Sequence, residues 1–231
     1  MKKIGLVGGM SPESTIEYYK ILVREYNKRK GGVSSPEVAL ESVNLQQISE
    51  WMECGAWDKI YKRILRSIEN LSKIGAEVII IASNTPHKIF NRLSHSVDVP
   101  MISIMDATAE AVTSAGLHKV ALLGTKFTMQ SDFYPKTFAR YDLTLITPSQ
   151  ADQIYINQVI WEELVHHILR QESREGYLNV IERLRKKGAE GVVLGCTEIS
   201  LLITQEDCPI PVFDTTKLHA MATLQFALHE A

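Results

Sequence analysis

Two stretches of this chain end in groups that can carry protons. "GAEGVVLGCTEI" (188–199) and "GAEVIIIASNTP" (75–86) begin with the same three residues and continue as apolar runs, which sets Cys196 opposite Ser83. A thiol has a pKa of ~8.5 that its surroundings can tune, and a helix N-terminus lowers it. Cys196 ends its run and precedes Thr-Glu, where a helix is expected to open, so thiolate character is expected there. A serine hydroxyl is a far poorer base but can give a proton to a strongly basic carbanion. One such group on each face of a carbon atom suits proton removal from one side and return from the other. Read alone, Ser83–Asn84–Thr85 is equally a cap and turn before the next helix; its equivalence with Cys196 favours the functional reading. Ser83 is expected to have no His or Lys partner within its motif. Cys54 and Cys208 lack this context and read as structural.

The neighbouring groups suit an anion. Asn84, Thr85 and Thr197 offer donors for a carboxylate near helix N-termini. In Gly8–Gly9–Met10–Ser11 the spacing is not that of a dinucleotide fingerprint, and the second strand ends in Asn44 rather than an acid. Glycines there let backbone amides approach a small anion. The histidines (His87, His95, His118, His166, His167, His219 and His229) form no ligand pattern, so no metal is expected. His166 is either a ligand contact or a surface histidine.

Alternating strand-like and helical runs must position these groups. "IGLVGG" leads into a helix opening at "SPES", with Ser11 as N-cap and Pro12 as first residue. Ile16, Tyr19, Val23 and Tyr26 keep the spacing of one helix face. "VALESVN" is a second strand, Ile60, Ile64, Ile68 and Leu71 mark a helix stopped by Gly75, and "VIIIAS" and "VPMISIM" follow as strands. The order then repeats: "KVALLGT", "LTLIT", a long helix over about 151–169, a helix ending in "RLRKKG", then "GVVLGC" and "IPVFD". Gly75/Gly188 and Ser83/Cys196 are each 113 residues apart, Ile4/Val120 116 and Pro100/Pro211 111. Such near-constant spacing predicts an α/β fold of two pseudo-symmetric, Rossmann-like lobes with mostly parallel sheets. The lobes are expected at 1–103 and 104–213, with a C-terminal helix over about 214–231 packing on the first. Ligands of such sheets bind beyond the carboxyl ends of the strands. Those ends carry Gly8–Ser11, Ser83–Thr85, Gly124–Thr125 and Cys196–Glu198, so the active site is expected between the lobes.

Composition narrows the class. The 231 residues carry a formal net charge of −2, which gives no broad pull toward nucleic acid or anionic lipid. The basic run "NKRKGG" reads as the solvated end of a helix. No apolar segment is long enough to span a membrane, and "MKKIGLVGGM" reads as a first strand rather than a signal peptide. The 3 cysteines, with no C-x-x-C, indicate neither a disulfide framework nor a zinc ribbon, and a reducing cytoplasm fits.

With "IGLVGGMSPEST", "NTPHK", "ALLGT" and "GCTEI" spread over almost its whole length, the chain resembles the cofactor-independent aspartate/glutamate racemases. The resemblance implies two duplicated α/β lobes, two opposed cysteines as acid and base, no pyridoxal phosphate or other cofactor, and a homodimer. Cys196 matches the second catalytic cysteine and Ser83 stands at the first. Met10, Ser11, Asn84, Thr85, Thr125 and Thr197 match positions that hold the substrate's carboxylates and amine, and Glu198 is placed to orient the thiol or the ammonium group. The family's basic residue after the second strand is missing from "NLQQISEW"; Gln47 by hydrogen bonding and His166 by charge are the candidates for the distal carboxylate. Ser83 is either a natural hydroxyl, as in relatives that work mainly on L-substrates, or an engineered Cys→Ser change.

The expected reaction is 1,1-proton transfer at the α-carbon of L-/D-aspartate, or of glutamate. Cys196 serves the L-enantiomer, position 83 is the opposing donor, and no metal takes part. Alternatives are a binding protein for acidic amino acids with lost catalysis, or a decarboxylase or isomerase of the same superfamily using the single cysteine. A pyridoxal phosphate enzyme is the third rival.

Overall fold

The computed structural model describes residues 1–228, so the end of the expected C-terminal helix, His229 included, lies outside the described residues. The chain forms two compact units, Met1–Ser103 together with the segment from His219 on, and Ile104–Leu218.

The first unit runs β1 (Ile4–Gly8), α1 (Pro12–Lys30), β2 (Val38–Ser42), α2 (Leu45–Glu53), α3 (Trp57–Lys73), β3 (Val78–Ile81), a 3-10 turn (Thr85–Ile89) and α4 (Phe90–Ser94). Its parallel sheet has the order β2-β1-β3, with Gly8 beside Ser42 and Val7 beside Ile81, so the three carboxyl ends lie in line. The second unit runs α5 (Ile104–Ser114), β4 (Lys119–Leu123), α6 (Lys126–Gln130), α7 (Phe133–Ala139), β5 (Thr144–Ile146), α8 (Gln150–Glu162), a 3-10 turn (Leu164–His166), α9 (Gln171–Lys186), β6 (Gly191–Leu194), α10 (Ile199–Leu202) and β7 (Val212–Asp214). Its parallel sheet has the order β5-β4-β6-β7. The last helix, α11 (Thr215–Leu228), begins in the second unit. From His219 on it belongs to the first, where Ala220, Leu224 and Ala227 join a core with Ile4, Leu6, Tyr18 and Leu22.

Both sheets are covered on both faces, which is why their strands read as unbroken apolar runs. In the first, Val7, Ile79 and Ile81 pack with Ile60, Ile64 and Ile68 of α3, while Ile4, Leu6, Val78 and Ile80 face α1 and α11. In the second, Ala121, Leu123, Val192 and Leu194 meet α8 and α9, and Val120, Leu122 and Val193 meet α5 and α7. Each fully buried aliphatic side chain contributes about 1.5–3 kcal/mol relative to exposure. No helix among the described residues is long and apolar enough to cross a membrane.

Three sequence expectations need correction. The apolar stripe of α1 does not face the core: Ile16 and Tyr19 are exposed, and the helix buries Ser14, Thr15, Tyr18 and Leu22 instead. Close packing at β1 explains this, because Thr15 sits against Gly8 and donates its hydroxyl to the Ser11 carbonyl. "VPMISIM" is not a full strand; Met101 makes one isolated parallel bridge to Ile79, and α5 begins at Ile104. The long helix of 151–169 ends at Glu162, and a 3-10 turn closed by His167 at φ 61° follows.

A polar cluster lies inside the first unit. His219 is fully buried; its Nε2 lies 2.9 Å from the Ile102 carbonyl and its Nδ1 2.8 Å from the Tyr18 hydroxyl. His87 meets it edge-on, with ring centroids 5.7 Å apart. Burial lowers His87 to about 3, with the neighbouring His219 adding to the fall, and burial lowers His219 to about 4. Both are neutral at pH 7, while in the unfolded chain they protonate near ~6.5. The unfolded state therefore gains protons first, and stability falls as pH drops from 6.5 toward 4. The two histidines together should cost about 2–3 kcal/mol between pH 7 and pH 5.5. Tyr18 is neutral throughout that range, and the paired carboxylates Glu41 and Asp152, lowered by their hydrogen-bond partners against the opposing effect of burial, titrate below it. Urea unfolding followed by Trp51 and Trp57 fluorescence should show this loss, and His87→Asn should roughly halve its slope. A flat profile over that range would show that neither ring is held neutral.

Candidate active site

In the first unit the groups gather where β1 and β3 end. Gly9 has φ 88°, and a Cβ there would stand 2.1 Å from the Val43 carbonyl, so this turn requires glycine. Its amide is taken by the Thr15 hydroxyl at 2.8 Å, which removes it from the expected anion-binding amides. Ser11 caps α1 through Ser14 N at 3.3 Å and is buried, as is Met10. Across the sheet, the Ser14 hydroxyl donates to the Ala82 carbonyl at 2.8 Å, just ahead of Ser83.

Ser83 leaves β3 with its amide on the Ile81 carbonyl at 2.8 Å and its own carbonyl 2.8 Å from Nδ1 of His87. This corrects the expectation that no histidine of the motif partners Ser83, although the contact is with the carbonyl and not the hydroxyl. Asn84 is buried and Thr85 half-buried at the head of the 3-10 turn, which carries Pro86 in its first positions. Gln47 is exposed on the first turn of α2, with its amide capped by Asn44 at 3.2 Å. The unit thus brings Met10, Ser11, Ser83, Asn84, Thr85 and Gln47 to one end of its sheet.

In the second unit Thr125 follows β4 and caps α6 through Thr128 N at 3.3 Å. Cys196 follows β6 after Gly195, whose amide donates to the Leu123 carbonyl at 2.6 Å. The Cys196 thiol donates to Oε2 of Glu198 at 3.0 Å, and the Thr197 hydroxyl donates to the same oxygen at 2.8 Å. Thr197 and Glu198 are buried and Cys196 half-buried. Burial first, then the Glu198 carboxylate, push the thiol well above its usual range; the backbone amides of Glu198 and Thr197 pull the other way. The expected thiolate at a helix N-terminus is therefore corrected. The helix after Cys196 begins only at Ile199 and has 4 residues, too few to develop a useful dipole, and a carboxylate stands against the sulfur. Without a ligand, Cys196 is a protonated thiol. His166 lies exposed on the 3-10 turn that packs near α10.

Sequence reasoning passed over three groups that hold these turns. His87 grips the Ser83 carbonyl, the Ser200 hydroxyl donates to the Thr197 carbonyl at 3.0 Å, and the buried Thr215 hydroxyl donates to the Leu194 carbonyl at 2.8 Å. Spacing was the available signal, since His87 and Ser200 are themselves 113 residues apart. Cys54 is exposed. Cys208 is half-buried and, raised to about 11 by burial and Asp207, less reactive than an ordinary thiol. No group of three or more His, Cys, Asp and Glu that could hold a metal occurs among the described residues.

Two parallel α/β units, each with a proton-bearing side chain just past the strand beside its first strand, define a duplicated acid–base fold. The family model for Asp/Glu/hydantoin racemases matches residues 7–223, and the chain belongs to that family. Among solved structures, it is 37% identical, with a TM-score of 0.93, to a candidate Asp/Glu racemase from Yersinia pestis, covering 99% of this chain and 100% of that one. An aspartate racemase homologue from Pyrococcus horikoshii is 36% identical with a TM-score of 0.88 over 99% and 100% of the two chains. The aspartate racemase of Picrophilus torridus is 25% identical with a TM-score of 0.79 over 97% and 94%. Among curated proteins, glutamate racemase of Corynebacterium glutamicum is 30% identical over 151 residues, which cover 62% of this chain and 52% of that protein. The chain thus spans about half the length of the curated glutamate racemases it matches.

Proposed function

We propose that the chain racemises an acidic amino acid, aspartate or glutamate, without pyridoxal phosphate, moving the α-proton between Cys196 on one face and Ser83 on the other. The observation that carries this reading is the Cys196 thiol hydrogen-bonded to Glu198 just past β6, with Ser83 at the repeat-equivalent end of β3. In the forward step the thiol proton passes to the Glu198 carboxylate, and the thiolate takes the α-proton of the L-enantiomer. Negative charge develops on the substrate carboxylate, where hydroxyl and amide donors from Asn84, Thr85, Thr125 and Thr197 stabilise it. The Ser83 hydroxyl delivers its proton to the opposite face and recovers one from water. Met10 and Ser11 border the substrate, and Gln47 and His166 serve the distal carboxylate. A substrate ammonium near Glu198 also offsets the carboxylate charge that holds the thiol protonated. A homodimer in the cytoplasm is part of this reading, supported by family membership.

The test is incubation with L- and D-aspartate and with L- and D-glutamate in D2O, with α-proton loss and optical rotation followed together. Exchange with racemisation and no loss of CO2 is expected; binding without exchange would favour the lost-catalysis alternative.

Glu198→Gln separates the two roles of that carboxylate. Removing its charge lowers the Cys196 pKa, so alkylation of Cys196 at pH 7 should become faster. Removing its proton-accepting capacity should slow racemisation by about 100-fold. If both rates rise together, Glu198 acts only as a charge and not as the thiol's base.

A further inference from the structure

We infer that His87 is a positioning residue for Ser83, holding the turn that aims the serine hydroxyl at the substrate; this rests on the racemase reading above. At Ser83 the chain has left the β ladder, and a buried carbonyl without a partner is costly. His87 supplies the partner, with Nδ1 2.8 Å from the Ser83 oxygen. A carbonyl only accepts, so the proton sits on Nδ1 of His87. By the same logic His219 carries its proton on Nε2, toward Ile102, and accepts from Tyr18 at Nδ1. The two neighbouring rings are thus fixed in opposite tautomers.

The ring that grips Ser83 is itself clamped. His87 is 2% exposed, stacks on Phe90 at 5.1 Å with 7° between the planes, and meets the edge of His219. Its backbone amide closes the 3-10 turn on the Asn84 carbonyl at 3.0 Å. One side chain therefore joins the strand end, the turn that carries Asn84 and Thr85, and the core of the unit.

The second unit meets the same need at the same place in the repeat. Ser200, 113 residues after His87, ties its turn back through the Thr197 carbonyl at 3.0 Å. Where the second unit uses a short hydroxyl, the first uses a buried imidazole. The imidazole adds rigid stacking on Phe90, and the group it serves is a serine whose proton must be aimed, because it cannot be activated as a thiolate can.

The experiment uses L-aspartate in D2O with the full-length protein. Two products are counted: D-aspartate, which needs proton delivery from the Ser83 face, and recovered α-deuterated L-aspartate, which needs only Cys196. His87→Leu should lower the ratio of the first to the second by about tenfold to a hundredfold, since a small misplacement of a reacting group costs that much. His87→Asn, whose side-chain N–H falls near the place of Nδ1, should recover most of the ratio. His87→Gln, whose N–H falls near Nε2, should not. A general loss of packing would lower both products together and leave the ratio unchanged. If His87→Leu does not fold, the Asn and Gln pair decides the question. In parallel, long-range 1H–15N correlation of the histidine rings should show His87 protonated at Nδ1 and His219 at Nε2. An unchanged ratio in every folded His87 variant, or His87 protonated at Nε2, overturns the inference. Ser83→Ala is the control for the underlying reading. If it leaves the ratio unchanged, Ser83 is not the second proton carrier and the racemase reading fails first; if it collapses the ratio while the His87 variants do not, only the positioning role fails.

Discussion

Cys196→Ala is expected to lower α-proton exchange from L-aspartate more than about a thousandfold while leaving the protein folded. The side chain lost is small and half-buried, so the packing cost is modest. What disappears is the atom at the end of β6 that can take the α-proton, and Glu198 alone does not replace it. A carboxylate is a weak base toward a carbon acid, and Glu198 is already committed to the Thr197 hydroxyl at 2.8 Å. Deuterium uptake at Cα over hours, measured by proton NMR with circular dichroism as the folding control, decides the point. Exchange above about a tenth of the original rate in a folded protein would remove Cys196 from the mechanism. Cys54→Ala and Cys208→Ala serve as comparisons, since neither lies at a strand end of the candidate site.

The strands were legible because sheets covered on both faces leave unbroken apolar runs, and the 113-residue spacing exposed the duplication before any coordinate was known. Helix faces were less so. In α1 the residues at Ile16, Tyr19 and Val23 have the right period, but so do Thr15, Tyr18 and Leu22. Contact with Gly8 decided between them, and periodicity carries no information about that contact. The chemistry of Cys196 was misread for a related reason. A helix does follow the motif, but it starts at Ile199, and the thiol senses Glu198 instead. His87 was visible as a letter in "NTPHK" yet could not be assigned, because its role depends on the Ser83 carbonyl having no ladder partner. That is a property of the fold and not of the motif.

The two units end in chemically unequal groups, and exchange should be correspondingly one-sided. Enantiomers in water have equal free energies, so kcat/KM for net racemisation is the same in both directions whatever occupies position 83. Exchange without inversion escapes that constraint. L-aspartate can lose its α-proton to Cys196, trade it with solvent through Glu198 and recapture a deuteron on the same face. D-aspartate must first lose its proton to Ser83. A hydroxyl is many orders of magnitude less acidic than a thiol of pKa ~8.5, so its alkoxide is scarcely available at neutral pH. His87 does not repair this, because its Nδ1 proton is committed to the Ser83 carbonyl and burial keeps the ring neutral. Initial deuterium uptake should therefore be much faster from L-aspartate than from D-aspartate. Ser83→Cys places a tunable thiol at the end of β3, where the backbone is already held and a sulfur replaces an oxygen with little change of shape. Uptake from D-aspartate should rise about 100-fold, the size of a well-placed acid–base contribution, while uptake from L-aspartate changes much less. Net racemisation should rise with it, equally in both directions. Equal initial uptake from the two enantiomers in the Ser83 protein, or no gain for D-aspartate in Ser83→Cys, would show that the second proton carrier lies elsewhere.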